Sequence, residues 1–304
     1  MTNFLVILFC LAIGYTLREF KIVKAGDYKI INTWLIYIGL PAIALRYIPE
    51  ITWQIDYLVT VLLPLLVFGL SYLFFRLLSK FTNFSRRTVL TLTIISGLNN
   101  TSFVGFPLII SFFGDQYLSI GVVSDQVTFF ILSTFGVMLA TSYSSHFKSG
   151  WQKTNYIIKR IVFFPPFIGC VMALVFADFL RHAEFVSFFS ALAGTVSPLA
   201  LFSIGIQLRF HNLSRELSAI SYSLLFKLLL SPIVVLLVCY LLELKGVFYQ
   251  VSAFEMMMPS LVSASMVIQQ FGLNVKLTNT IIGVSILLGL LMSYGWFSAL
   301  VNLL

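Results

Sequence analysis

Asp125, Lys227 and Glu255 are ionisable residues set within long apolar runs. A charge surrounded by hydrocarbon is costly, so each points to ion or substrate handling, with its partner and protonation state open. Asp125 and Glu255 lie roughly eight residues, or ~12 Å at 1.5 Å per residue, inside the same edge of the apolar layer. Lys227 is similarly deep from the other edge. Asp125 is a candidate coupling carboxylate; the alternative is helix packing through Ser124 and Thr128. Lys227 suits attraction of an anion, although a lysine can also snorkel or pair with a carboxylate. Glu255, four residues before Pro259, is a candidate for substrate or proton handling, against a neutral structural acid. Gln269 joins these as a coupling candidate.

Two polar, poorly helical stretches accompany them. The first runs Asn99-Asn100-Thr101-Ser102-Phe103-Val104-Gly105-Phe106-Pro107, and the second places Pro259 among Ser260, Ser263 and Ser265. Short polar side chains compete with the helix ladder, Gly105 permits close approach, and Pro107 and Pro259 each lack a backbone donor. A helix break is expected at both prolines. Freed backbone groups cannot stay unpaired in hydrocarbon, so the breaks must face protein, water or ligand. Residues near 102–113 and 260–271 would begin with positive dipole ends, and the halves before them would end in carbonyls suited to a cation. Together they predict a centre for an anion and a cation. Asn99, Asn100 and Thr101 are favoured as site residues because three polar neighbours cannot all point into one packed seam, and Asn100 is the foremost. Ser102, Gly105, Ser260, Ser263 and Ser265 complete the candidate lining.

The elements that would hold these residues follow from composition. The 304 residues are 59% hydrophobic and only 10% charged, against ~25% charged in soluble domains. Apolar windows predict ten helical spans near 2–19, 30–48, 56–78, 88–113, 116–142, 160–178, 187–208, 216–241, 248–272 and 278–301. Alternate loops then place 15 Lys and Arg on one face and three on the other, with Lys227 inside a span. The basic face should be cytoplasmic, which puts both termini outside a multi-pass cell membrane. The segment from Thr2 to Leu17 has no basic leader or small-residue cleavage site and reads as a retained first helix.

An internal repeat is also expected. Gly114 and Gly272 end similar segments 158 residues apart, and Pro41 and Pro198 lie 157 apart beside Leu and Ala. Two five-helix halves, 1–146 and 147–304, follow. Five is odd, so the second half must be inverted relative to the first. Pro64 and Pro232 do not keep that offset.

Other chemistries are excluded or weak. The formal charge of +8 is spread between apolar runs, so nucleic acid is not an expected partner. Cys10, Cys170 and Cys239 are isolated, and His146, His182 and His211 fall in or beside loops, so neither a disulfide framework nor a metal site is expected. Nucleotide-binding and hydrolase motifs are lacking, which argues against an enzyme or an ATP-driven pump. No cofactor is expected; coupling to protons or sodium stays open.

The residues at the breaks resemble the auxin efflux carrier family, including its compact bacterial malate/malonate permease-like members. The resemblance spans nearly all the expected helices and is carried by Asn99 through Leu108, Pro198-Leu199-Ala200-Leu201-Phe202-Ser203-Ile204-Gly205, and Pro259 through Gly272. It implies an all-α polytopic fold of ten helices in two inverted repeats, with helices 4 and 9 broken and crossed. It also implies elevator-like alternating access, with helices 1, 2, 6 and 7 as scaffold and 3–5 and 8–10 as the transport part. Asn100, Pro107 and Pro259 carry over as crossover residues, and Pro198 and Gly205 as features of the seventh helix. The family often has glycine at Thr101 or Ser102 and an alanine-glutamate-tyrosine-like run at Ile268 to Phe271. The short basic connector 143–159 matches compact prokaryotic members.

The function expected is secondary transport of a small organic anion, a dicarboxylate or an auxin-like carboxylate. A membrane-embedded ligand sensor and an ion channel are the alternatives. The bilayer and the anion are the expected partners, with dimerisation through a scaffold helix implied by the resemblance.

Overall fold

Glycine and polar residues mark several of the turns between the apolar helices, with Gly114, Gly246 and Gly272 at positive φ. The computed structural model describes residues 2–24, 26–143, 149–207 and 216–304. Along them run α1 (Thr2–Glu19), α2 (Tyr28–Glu50), α3 (Tyr57–Leu78), α4 (Arg86–Gly97), α5 (Thr101–Phe112) and α6 (Asp115–Thr141). After them come α7 (Gly150–Val162), α8 (Pro165–Val175), α9 (Ala183–Gln207), α10 (Leu217–Leu241), α11 (Val247–Met256), α12 (Ala264–Gln270) and α13 (Val275–Leu303). One turn, Ala177–Leu180, joins α8 to α9.

The described residues are all helical, with no strand beyond one isolated bridge. Six helices, α2, α3, α6, α9, α10 and α13, are long and apolar enough to cross a membrane; α7 with α8 makes a seventh if their 59° bend falls within one crossing. The expected fourth and ninth spans are instead pairs of short helices. Arg86–Gly97, with 12 residues, reaches only ~18 Å, against a hydrocarbon core of ~30 Å. Neither member of a pair crosses alone.

Proline does not break these helices where the sequence leads one to expect. Pro41, Pro107 and Pro232 each follow, by two residues, a five-residue π-helical stretch: Leu35–Gly39, Thr101–Gly105 and Phe226–Leu230. A proline cannot donate to the carbonyl four residues back; the N–H just before each of these prolines reaches five residues back, Leu40 to Leu35, Phe106 to Thr101 and Ser231 to Phe226, and the helix continues through the proline. Pro107 is therefore not the breaker of the fourth segment. The interruption lies upstream, where Leu98 is extended and Asn100 has φ −85° and ψ 68°. Pro259 does lie inside the second interruption, between α11 and α12.

Packing divides the helices into two groups of close neighbours. α1 lies along the second half of α9, and α8 and α9 pack on α2, while α3 packs against α4, α6 and α11. The α1–α9 crossing depends on glycine. A Cβ at Gly14 would sit 2.3 Å from the Phe202 carbonyl oxygen, and one at Gly205 2.3 Å from that of Leu11. Small residues of this kind let membrane helices meet backbone to backbone.

The expected connector 143–159 is largely helical, since α7 occupies Gly150–Val162; 144–148, including His146 and Lys148, lie outside the described residues. No α7 residue is buried, and its apolar residues, among them Trp151 and Ile158, alternate with Lys153, Lys159 and Arg160. The boundary between the expected halves, and His211, also lie outside the described residues.

Candidate functional site

The two interruptions meet. The Asn100 N–H donates to the Pro259 carbonyl at 2.8 Å, and the Leu261 N–H to the Leu98 carbonyl at 3.2 Å. This is a minimal antiparallel pairing around Asn99 and Ser260. It satisfies backbone groups that the broken helices would otherwise leave exposed to hydrocarbon. The Asn100 carbonyl accepts from Gly105 at 3.0 Å and Val104 at 3.3 Å, closing the π-helical start of α5. The Ser260 N–H donates to Ser285 Oγ on α13 at 3.2 Å. At the far end, Arg87 donates to the Leu273 carbonyl at 3.0 Å and the Asn274 N–H to Thr91 Oγ1 at 3.1 Å, so the start of α4 lies beside the end of α12.

All three intramembrane ionisable residues converge on the segment from Asn99 to Gly105, although they come from three separate helices. The Lys227 amine, on the π-helical stretch of α10, donates to Asn99 Oδ1. Thr101 Oγ1 donates to Asp125 Oδ1 of α6 at 2.6 Å. The Glu255 carboxyl of α11 lies against Gly105, where a Cβ would meet Oε1 at 2.5 Å and Oε2 at 2.6 Å. A larger residue at this position would force that carboxyl to shift. Lys227 and Glu255 have no exposed surface, and Asp125 is 6% exposed.

The neighbouring asparagines divide their work. Asn99 is engaged at both ends of its amide, since Nδ2 also donates to Met256 Sδ at 3.1 Å. Asn100 is equally buried, yet its Nδ2 has no hydrogen-bond partner among the described residues, and neither has Ser260 Oγ. Buried donors are nearly always paired; Ser124, Thr128, Ser133 and Ser231 also carry hydroxyls unpartnered among the described residues, but Asn100 and Ser260 lie at the crossing itself. The arrangement holds two uncommitted donors and an amine beside a helix start, which suits an anion.

Other sequence candidates lie farther along. Ser102 is buried beside Asp125. Ser263 is half-buried before α12, Ser265 Oγ donates to the Val262 carbonyl at 2.7 Å, and Gln269 is exposed. None of the three is hydrogen-bonded to Asn99, Asn100 or Ser260 among the described residues. Among the described residues, no group of three or more His, Cys, Asp or Glu side chains could hold a metal ion.

Sequence reasoning missed several supports. Ser96 Oγ and Ser223 Oγ, 2.6 Å apart, tie α4 to α10, and Thr60 Oγ1 and Ser252 Oγ, 2.8 Å apart, tie α3 to α11. Ser285, Gly289 and Ser293 form a buried stripe on α13, and a Cβ at Gly289 would lie 3.2 Å from the Pro259 ring. Their spacing of four was a readable signal, since small residues at i and i+4 mark a close helix seam.

Comparison with known proteins agrees with this architecture. The family described as membrane transport protein matches residues 1–297. The chain is similar to an uncharacterized transporter of Methanothermobacter thermautotrophicus, 24% identical over 287 residues and 93% of each chain. It is also similar to one of Methanocaldococcus jannaschii, 25% identical over 310 residues and 98% of each chain. Because that family match runs almost end to end over a chain of apolar, membrane-length helices, the protein belongs to the membrane transport protein family, that of the auxin efflux carriers.

Proposed function

We propose that the chain is a secondary carrier for a small organic anion, a dicarboxylate or an auxin-like carboxylate, and that the crossing is its solute site. The observation that carries this reading is the convergence of Lys227, Asp125 and Glu255 on one interrupted segment that also holds the uncommitted Asn100 amide. Asn100 and Ser260 donate to the carboxylate of the solute, and Lys227 supplies the attracting charge. Thr101 and Ser102 position Asp125, and Asn99 holds Lys227.

In this reading α4–α5 and α11–α12 are the fourth and ninth of ten crossings, in two inverted five-helix halves with both termini outside. Two features support the repeat. The second member of each pair ends at a positive-φ glycine, Gly114 at 102° and Gly272 at 70°, and the pairs run antiparallel to one another at the bridge. An elevator-like motion would carry α3–α6 and α10–α13 past a scaffold of α1, α2, α8 and α9. The close packing within each group is what such a motion requires. A ligand biases that equilibrium only by binding the two states unequally, and the crossing is where its contacts would differ.

The test is uptake into proteoliposomes across a panel of radiolabelled mono- and dicarboxylates, with proton and sodium gradients imposed in turn. Saturable uptake of at least one anion is expected. Tight binding without flux would instead make the chain a ligand sensor, and single-channel currents would make it a channel.

A further inference from the structure

The three buried ionisable groups are not equivalent, and the difference identifies the coupling ion. Asp125 accepts from Thr101, and Lys227 donates to Asn99. Glu255 alone has neither carboxyl oxygen hydrogen-bonded among the described residues, while being fully buried. Its surroundings are built to hold it. The backbone of Gly105 closes on one side, and Gly121 of α6 on another, where a Cβ would lie 3.3 Å from Glu255 Oε1 and also meet the Ile109 and Phe106 side chains.

We propose that Glu255 is a proton-binding site, and that the ion taken up with the anion is H⁺ rather than sodium. The coupling role rests on the carrier reading above. The distinction comes from ligand number. A sodium ion is held by a cage of several oxygen ligands that replace its hydration shell. The groups found beside the Glu255 oxygens are the Gly105 and Gly121 backbones, and the other carboxylate within range, Asp125, is committed to Thr101. A proton needs one oxygen. An ionised, unpartnered carboxylate in such a niche is costly, whereas the acid is accommodated as the neighbouring glycines leave it. The exchange is a simple one: the carboxyl O–H releases H⁺ to water when the niche opens to one side, and the carboxylate takes H⁺ from water when it opens to the other. One proton carried with a monocarboxylate leaves the carried charge unchanged, whereas one carried with a doubly ionised dicarboxylate leaves a single negative charge.

The charged groups around the site fit this role. Of the helices packed on α11, α6 brings Asp125, whose field reaches Glu255. α10 brings Lys227, tied to Asn99. α5 carries no titratable residue; α3 carries Tyr57, Tyr72 and Arg76, and α13 carries Lys276 and Tyr294 near its two ends.

Infrared spectroscopy of the reconstituted full chain tests the site without a substrate. A C=O stretch of a protonated carboxyl is expected, titrating with bulk pH, lost in Glu255→Gln, retained in Asp125→Asn, and unchanged when potassium replaces sodium at fixed pH. Persistence of the band in Glu255→Gln, its absence from wild type, a band that does not titrate, or one that responds to sodium would each overturn the proposal. A titrating Glu255 band together with no flux across the anion panel would instead sink the carrier reading and leave the proton site standing. Flux without that band would do the reverse.

Discussion

The two interrupted segments share a backbone design and differ in side chains. Each pauses between two short helices, lends one N–H and one C=O to the other, and resumes as a short helix. Around the first pause stand Asn99, Asn100, Thr101 and Ser102; around the second stand Met256, Met257, Met258, Pro259 and Ser260. The first arm is the more polar, whereas the second contributes backbone, a packed methionine cluster and the Glu255 carboxyl. If the crossing is the solute site, the first arm specifies the solute while the second fixes its position and carries the ion.

The strongest way to break that contrast is Asn100→Ala. If the first arm recognises the solute, losing a hydrogen bond to a charged group worth ~1.5–3 kcal/mol should cut apparent affinity about 10- to 100-fold, measured as saturable uptake in proteoliposomes. Folding should hold, because the amide Nδ2 has no partner to lose among the described residues. Ser260→Ala, on the second arm, should lose less. Equal losses would show that the arms share recognition evenly.

The second test concerns stability. Asn99→Ala removes the acceptor of a fully buried amine and should cost about 2–3 kcal/mol, read as a lower thermal midpoint in detergent. Lys227→Met should cost less, since it removes the charge with its need for a partner. The double variant should fall well short of the sum, as expected of residues in direct contact. Additive losses would mean that Asn99 and Lys227 act separately, and the first arm would lose its link to α10.

How much of this was legible in the residues depended on the kind of signal. Asn99, Asn100 and Thr101 were readable because consecutive polar side chains within an apolar run have few explanations. Asp125, Lys227 and Glu255 were readable for the same reason, but their common destination was not, because it depends on tertiary crossing rather than spacing. Pro107 misled: a missing donor reads as a break, yet the helix runs on through it after a π-helical first turn, and the interruption forms at Leu98 to Asn100. Pro259 had no such turn before it and stands within its interruption. Ser263, Ser265 and Gln269 were named from proximity in sequence; Ser265 Oγ is spent on the Val262 carbonyl and Gln269 is exposed.

A third test sharpens the contact between the arms. Gly105→Ala places a Cβ within 2.6 Å of both Glu255 oxygens, so the carboxyl must shift or α5 must move off α11. Overpacking of this kind costs about 1–3 kcal/mol. Gly69→Ala in α3, where a Cβ meets nothing within 4 Å, serves as the comparison and should change stability by no more than about 1 kcal/mol, in the favourable direction. Indistinguishable thermal midpoints would mean that Gly105 is not the floor of the carboxyl niche.

The smallest effect is expected at Gln269, on the second arm beyond the crossing. Its side chain is exposed on α12, while its neighbour Gln270 accepts from the Tyr156 hydroxyl of α7 at 2.7 Å. Gln269→Ala should therefore leave anion uptake unaltered and shift stability by less than ~0.5 kcal/mol. Gln270→Ala should do somewhat more, by releasing α7 from the end of α12. A tenfold loss of uptake in Gln269→Ala at unchanged stability would extend the site down the second arm. The contrast between a recognising arm and a supporting one would then give way to two arms that both read the solute.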